Sequence, residues 1–168
     1  MTIYFYKVWQ PYGCFSNFSP HSILIKGTYW PTVEHYYQAQ KFVNSPDANI
    51  IPLIHAATTP EDAAALGRCH TRKLRLDWDM VKTQVMRIAV RQKFITHGEI
   101  RQILLGTGEE ILVENSPTDY FWGCGADHTG ENNLGKILMS VRSEIRSLFS
   151  TSEKSEKTLK TPSLILEE

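Results

Sequence analysis

Glu34, Gln38 and Lys41 lie four and three positions apart in the run Trp30-Pro31-Thr32-Val33-Glu34-His35-Tyr36-Tyr37-Gln38-Ala39-Gln40-Lys41-Phe42. Side chains on a helix recur at about 100° per residue, so these three share one face. Val33, Tyr36, Ala39, Gln40 and Phe42 spread over the other sides and are mostly apolar. A carboxylate beside an amine can carry out acid–base or covalent chemistry on a sugar carbon. A lysine buried in a pocket can lose its proton and attack an aldehyde-like centre. The helix alone leaves two readings open: a solvated stripe, or the polar wall of a pocket.

A second constellation is Asp119-Tyr120-Phe121-Trp122-Gly123-Cys124-Gly125. An acid next to three aromatics and two glycines suits neither a core strand nor a solvent loop. Glycines let backbone approach a ligand closely, and aromatic faces can stack on a base. The competing reading is that the aromatics are core. Trp78 and Arg68 also have two readings. Trp78 is either a packing residue at a helix start or a ligand platform. Arg68 either meets a helix dipole or pairs with a phosphate.

These residues need elements to hold them. Residues 3–9 read as a strand. The loop Pro11-Tyr12-Gly13-Cys14-Phe15-Ser16-Asn17-Phe18-Ser19-Pro20 carries more apolar surface than a plain solvent loop. Residues 22–30 read as a hairpin around Lys26-Gly27. Thr32 starts a helix over 32–44, Pro46-Asp47 one over 46–57, and Thr59-Pro60 one that ends near Gly67-Arg68. Asp77 reads as the cap of the longest helix, 78–97, which stops at Gly98. A short helix over 99–105 and a strand over 110–114 follow. After a Gly-rich loop, 123–130, comes a helix over 132–149 with Leu134, Ile137, Leu138, Val141, Ile145 and Leu148 on its apolar face. The fold class is α+β, a helix-rich single domain over 1–149 with a few short strands. Residues 150–168, rich in Ser, Thr, Lys and Glu, read as a flexible tail.

The 168 residues are 42% hydrophobic and carry 18 basic and 18 acidic side chains. That length suffices for one real core. Zero net charge speaks against broad attraction to nucleic acid or an anionic membrane, while a local site for one phosphate stays open. Cys14, Cys69 and Cys124 form no CxxC and read as reduced thiols. The N-terminus lacks the apolar core of a signal peptide, and no segment is apolar enough to span a membrane. A cytoplasmic protein without membrane partners is expected. The six histidines show no metal-ligand spacing, and neither P-loop, GxGxxG nor GxSxG occurs. No metal and no cofactor are expected.

Several blocks carry a family resemblance: Phe15-Ser16-Asn17-Phe18, Trp30-Pro31-Thr32 through Lys41-Phe42, Ala64-Ala65-Leu66-Gly67-Arg68, Trp78-Asp79, Val85-Met86-Arg87, Lys93-Phe94, Asp119 to Gly125, and Gly130-Glu131-Asn132-Asn133-Leu134-Gly135. In this order, from about residue 3 to 149, the chain resembles the NADAR family of the YbiA type. The resemblance implies an N-glycosidase that cleaves a ribose C1′–N bond. Its substrate would be a small phosphoribosyl compound, such as the reactive ribosylaminopyrimidine phosphates of early riboflavin synthesis. The alternative substrate is nucleic acid with ADP-ribose on a base such as guanine. It further implies Glu34, Lys41 and Asp119 as catalytic residues. Asn17, Phe18, Arg68, Trp78, Trp122 and Gly123 are implied on the substrate, with Trp78 and Trp122 sandwiching the base. The stretch Cys124-Gly125-Ala126-Asp127-His128 departs from the family pattern. Two rivals are a binding module for ADP-ribose or nucleotide sugars without turnover, and a partner-binding protein without a pocket.

Overall fold

The structure is a computed structural model that describes residues 1–159, with side chains described through Phe149. Strand β1 (Thr2–Phe5) pairs in parallel with β4 (Ile111–Glu114), placing Phe5 opposite Glu114. The first strand is shorter than the alternation over 3–9 implies. Pairing ends with β4, and the chain then turns, the Gln10 amide donating to the Lys7 carbonyl at 3.0 Å. Strands β2 (Ile23–Ile25) and β3 (Thr28–Trp30) form the expected hairpin. Lys26 and Gly27 both take positive φ, 50° and 77°, as a two-residue hairpin loop of the tightest kind requires.

Helix α1 (Val33–Gln40) starts at Thr32, whose hydroxyl oxygen accepts the His35 amide. It ends before Lys41, earlier than the expected 44. The helix expected over 46–57 is instead a 3₁₀ turn, Ala48–Ile50, followed by the short α2 (Ile51–His55). Pro52 is the reason: it lacks an N–H and is tolerated only in a first helical turn, so the helix begins just before it. Thr59 caps α3 (Pro60–Gly67) as its sequence implies, accepting the Asp62 amide at 3.1 Å.

Helix α4 (Trp78–Thr96) is the central post, packed against α1 and α6. Asp77 precedes it without capping it. Its carboxylate is taken by the Arg75 guanidinium, which donates to both oxygens at 2.6 and 2.9 Å. Gly98 opens α5 (Gly98–Gly106) rather than serving as a terminal cap for α4. Met86, Ala89, Val90 and Phe94 bring α4 into a core completed by Phe5, Phe15, Val33, Phe42 and Leu112.

Helix α6 runs Asn133–Leu159, past the expected end at 149, and residues 160–168 lie outside the described residues. Leu134, Ile137, Leu138, Val141 and Ile145 face the core as the period implies, but Leu148 is 45% exposed. Among the described residues no helix is long and apolar enough to cross a membrane. The first turn of α6 leans directly on β4. A Cβ at Gly135 would sit 2.1 Å from the Leu112 carbonyl oxygen and 2.5 Å from the Asn132 amide. The Leu112 carbonyl belongs to the β4 backbone. The Asn132 side chain is held at both ends, its Nδ2 donating to that carbonyl at 2.9 Å and its Oδ1 accepting the Glu114 amide at 3.0 Å, so neither yields easily. Gly135→Ala is therefore expected to cost about 3 kcal/mol, the upper end of ordinary overpacking. At roughly 2–4 °C per kcal/mol, that lowers the midpoint of a thermal melt by about 6–12 °C.

Candidate active site

The site forms where α1, the loop 13–20, the start of the 119–130 loop and the C-terminus of β4 meet. Each wall has a local cause. The 13–20 loop is held from inside by Phe15, which is 1% exposed and packs edge-on against Phe5 and Phe94. Lys93 of α4 holds it from the other side. This lysine is 1% exposed, and its Nζ donates to the Ser16 carbonyl at 2.8 Å and to Ser19 Oγ at 2.6 Å. Burial pushes its pKa down to about 7. The loop is tied in turn to α1, the Glu34 amide donating to the Asn17 carbonyl at 3.1 Å.

The stripe on α1 is a wall rather than a solvated face: Glu34 is 3% and Gln38 1% exposed. Glu34 Oε1 accepts from Gln38 Nε2 at 2.7 Å, and Arg68 Nη2 stands 3.7 Å away. Burial raises the Glu34 pKa, opposed by the Gln38 hydrogen bond and by the Arg68 and Lys41 charges. Arg68 is 62% exposed on its side chain, so its pull is screened by water. Lys41 lies just past the helix end, where its Nζ donates to the Gly67 carbonyl at 3.3 Å. Burial brings its pKa down to about 8, while Glu34 opposes that shift.

Asp119 shapes its own loop. Its Oδ1 accepts the Phe121 amide at 3.0 Å and the Trp122 amide at 2.7 Å. That clamp turns Trp122 toward α1, where its indole N–H donates to the Tyr37 hydroxyl at 3.2 Å. The two rings meet edge to face, with centroids 5.5 Å apart.

These residues enclose a cavity of about 190 Å³. Of the residues expected from the sequence, Glu34, Lys41, Asp119, Asn17, Phe18, Arg68 and Trp122 line it. Trp78 and Gly123 do not. Trp78 is 7% exposed and packs behind Tyr37, with ring centroids 5.1 Å apart, so it backs the wall instead of sandwiching a base. Gly123 lets the loop press on the end of β4: a Cβ there would lie 2.9 Å from the Glu114 carbonyl oxygen, to which the Cys124 amide donates at 2.9 Å. Cys124 is buried and Cys14 partly so, and burial raises the Cys14 thiol, which makes it a poor nucleophile.

Tyr37 and Glu114 line the cavity without having been singled out in the sequence. Tyr37 was within reach: with Glu34, Gln38 and Lys41 it completes an i, i+3, i+4, i+7 face. Glu114 left a fainter signal. A strand's side chains alternate, so Glu114 shares its face with Leu112, which is fully buried. Among the described residues, Asn17 Oδ1, Gln38 Oε1 and Glu114 Oε2 are buried without a hydrogen-bond partner, and all three residues line this cavity. Native structures seldom leave such atoms unmatched. Here they offer acceptors, or a carboxyl proton, to a polar guest. No group of three or more His, Cys, Asp or Glu among the described residues could hold a metal ion.

A NADAR domain model matches residues 4–146. An N-glycosidase of Nostoc punctiforme is 76% identical over 150 residues, covering 89% of this chain and 96% of that protein. The N-glycosidase YbiA of Escherichia coli K12 is 43% identical over 143 residues, covering 85% and 88%. The maize chloroplastic riboflavin biosynthesis protein PYRR is 48% identical over 155 residues, which span 85% of this chain but 25% of that longer protein. The NMR structure of E. coli YbiA superposes with a TM-score of 0.78 at 38% identity, covering 99% of this chain and 94% of that one. Fold, cavity and relatives together define an enzyme, a hydrolase acting on N-glycosyl compounds. The chain belongs to the NADAR domain family.

Proposed function

We propose that this enzyme hydrolyses the C1′–N bond of ribosylaminopyrimidine phosphates, the reactive intermediates of early riboflavin synthesis. The observation that carries the reading is Glu34: a carboxylate 3% exposed, facing a small cavity beside an amine. Breaking an N-glycosidic bond builds positive charge on the sugar. A preorganised carboxylate in a water-poor site stabilises that charge far better than solvent does. Gln38 holds Glu34 in place through the 2.7 Å hydrogen bond.

Size assigns the sugar. Pockets for drug-sized ligands run to roughly 300–1,000 Å³. The cavity of about 190 Å³ suits a ribose ring and not a whole nucleotide. Trp122 and Tyr37 supply aromatic walls to the ring, Asn17 and Asp119 serve its hydroxyls, and Arg68 at the rim pairs with the phosphate. Lys41 attacks C1′ as a neutral amine while the base nitrogen leaves with the electron pair of the C1′–N bond. The lysine nitrogen then loses a proton, and the C1′–O4′ bond breaks with protonation of O4′. Water hydrolyses the resulting imine to free ribose phosphate and the Lys41 amine.

The choice of substrate class is supported by the riboflavin biosynthesis names of the maize relative and of a Vibrio vulnificus relative 42% identical over 144 residues. The formal net charge of zero offers nothing to a long nucleic-acid tract. The test is a side-by-side assay of free base release from a ribosylaminopyrimidine phosphate and from DNA carrying ADP-ribosylated guanine. Turnover of the first alone is expected. Turnover of the DNA alone overturns the substrate assignment, and binding without release of base from either overturns the enzyme reading in favour of a binding module.

A further inference from the structure

A second, larger cavity of about 440 Å³ adjoins the ribose-sized one. Ser16, Phe18, Arg68, Glu114 and Asp119 line both, so the two share a boundary. The outer chamber is walled by Tyr6, Lys7 and Trp9. Trp9 is 77% exposed, and Lys7 Nζ stands 4.3 Å from the Tyr6 ring centroid and 5.9 Å from that of Trp9. An exposed indole beside a cavity is a stacking platform for a planar ring.

The three carboxylates that line the ribose-sized cavity differ in their surroundings. Glu34 accepts from Gln38 and faces Arg68 and Lys41. Asp119 accepts two backbone amides. Among the described residues, Glu114 Oε2 is buried with no hydrogen-bond partner, and no side chain within salt-bridge distance neutralises it. We propose that Glu114 is the general acid of the reaction, standing where the scissile bond crosses from the ribose cavity to an outer chamber that holds the leaving heterocycle on Trp9. This rests on the N-glycosidase reading and deepens it.

The environment agrees with that role. Burial, together with the nearby Asp119 and Glu34 charges, pushes the Glu114 pKa up to about 8, with Arg68 opposing. Its carboxyl thus keeps its proton at neutral pH, while Glu34 has donors that favour its charge. Two carboxyl groups in unlike surroundings, one with a hydrogen-bond donor and cations beside it and one without a partner, can divide acid and base duties. In the step, the C1′–N bond breaks with its electron pair staying on nitrogen. The Glu114 proton passes to that nitrogen, leaving a Glu114 carboxylate and a neutral amine. C1′ bonds to the incoming nucleophile, whose surplus proton goes to the Glu34 carboxylate. Solvent exchange then returns a proton to Glu114 and removes one from Glu34.

Leaving-group chemistry tests this. Glu114→Gln keeps the shape and removes the transferable proton. General acid catalysis contributes roughly 10²–10⁴-fold. Against a ribosylaminopyrimidine, whose amine leaves poorly, kcat should fall by about that factor. Against a riboside whose leaving group departs without protonation, kcat should change less than about tenfold. Equal losses with both substrates would mean that Glu114 only supports the structure, and no loss with either would remove it from the mechanism. A wild-type enzyme inactive on every N-riboside would refute the underlying reading instead. The outer chamber has its own readout: free aminopyrimidine should quench wild-type tryptophan fluorescence, and Trp9→Phe should abolish the quench. Quenching that survives Trp9→Phe puts the heterocycle elsewhere.

Discussion

Replacing Glu34 by glutamine is expected to abolish base release while leaving the protein as stable as before, or more so. The amide is isosteric and sits in the same place, with only 3% exposure to water. Its charge, however, is gone. Removing an electrostatic stabiliser of a developing cation costs on the order of 10²–10³ in kcat. Loss of proton uptake adds to that, so the total is about 10³-fold or more. Stability moves the other way. Burial raises the Glu34 pKa, which means the folded protein carries a carboxylate it solvates poorly. A neutral side chain removes that strain, and the thermal midpoint should stay level or rise. Catalytic sites commonly sacrifice stability in this manner. Product release and a thermal melt on the same preparation check both halves. Activity within tenfold of wild type would remove Glu34 from the chemistry. Lost activity with a collapsed melt would make it a structural residue.

Lys41 gives the second large effect, and its charge state decides which role it has. A nucleophile must be neutral. With the pKa brought down to about 8, Lys41 is about half neutral at pH 8, and the neutral fraction falls close to tenfold for each unit below about 7. The rate should therefore climb with pH up to about 8. Above that, loss of the Glu114 proton lowers it, giving a narrow bell centred near 8. Lys41→Met should lose at least 10³-fold. Lys41→Arg should do no better, since a guanidinium never yields a neutral amine in this range. Borohydride during turnover should trap the ribose on Lys41. A lysine that merely steers the substrate as a cation would leave no adduct, and Lys41→Arg would keep most of the activity.

Much of the frame was legible from local chemistry. Thr32 and Thr59 cap helices because their hydroxyls accept free amides, and that needs only three neighbouring residues. The Lys26-Gly27 hairpin and the apolar face of α6 are equally local. Where the expectations slipped, a competing partner intervened. Asp77 looks like a cap, but Arg75 takes its carboxylate. Leu148 fits the period of α6 but is exposed, while its neighbour Phe149 packs against the core.

The reactive types and their helical spacing were set in the chain itself: Glu34, Gln38 and Lys41 must share a face on any helix through them. Whether that face met water or a cavity could not follow from spacing. It was decided by tertiary packing, by a loop held on Lys93, by Asp119 turning Trp122 onto Tyr37, and by β4 delivering Glu114 from far along the sequence. The reason is physical. Spacing orients a side chain about its own axis, but burial and the pKa shifts that follow depend on what other segments place opposite it. Trp78 makes the same point from the other side: its sequence leaves a packing role and a ligand platform both open, and the packing places it behind Tyr37.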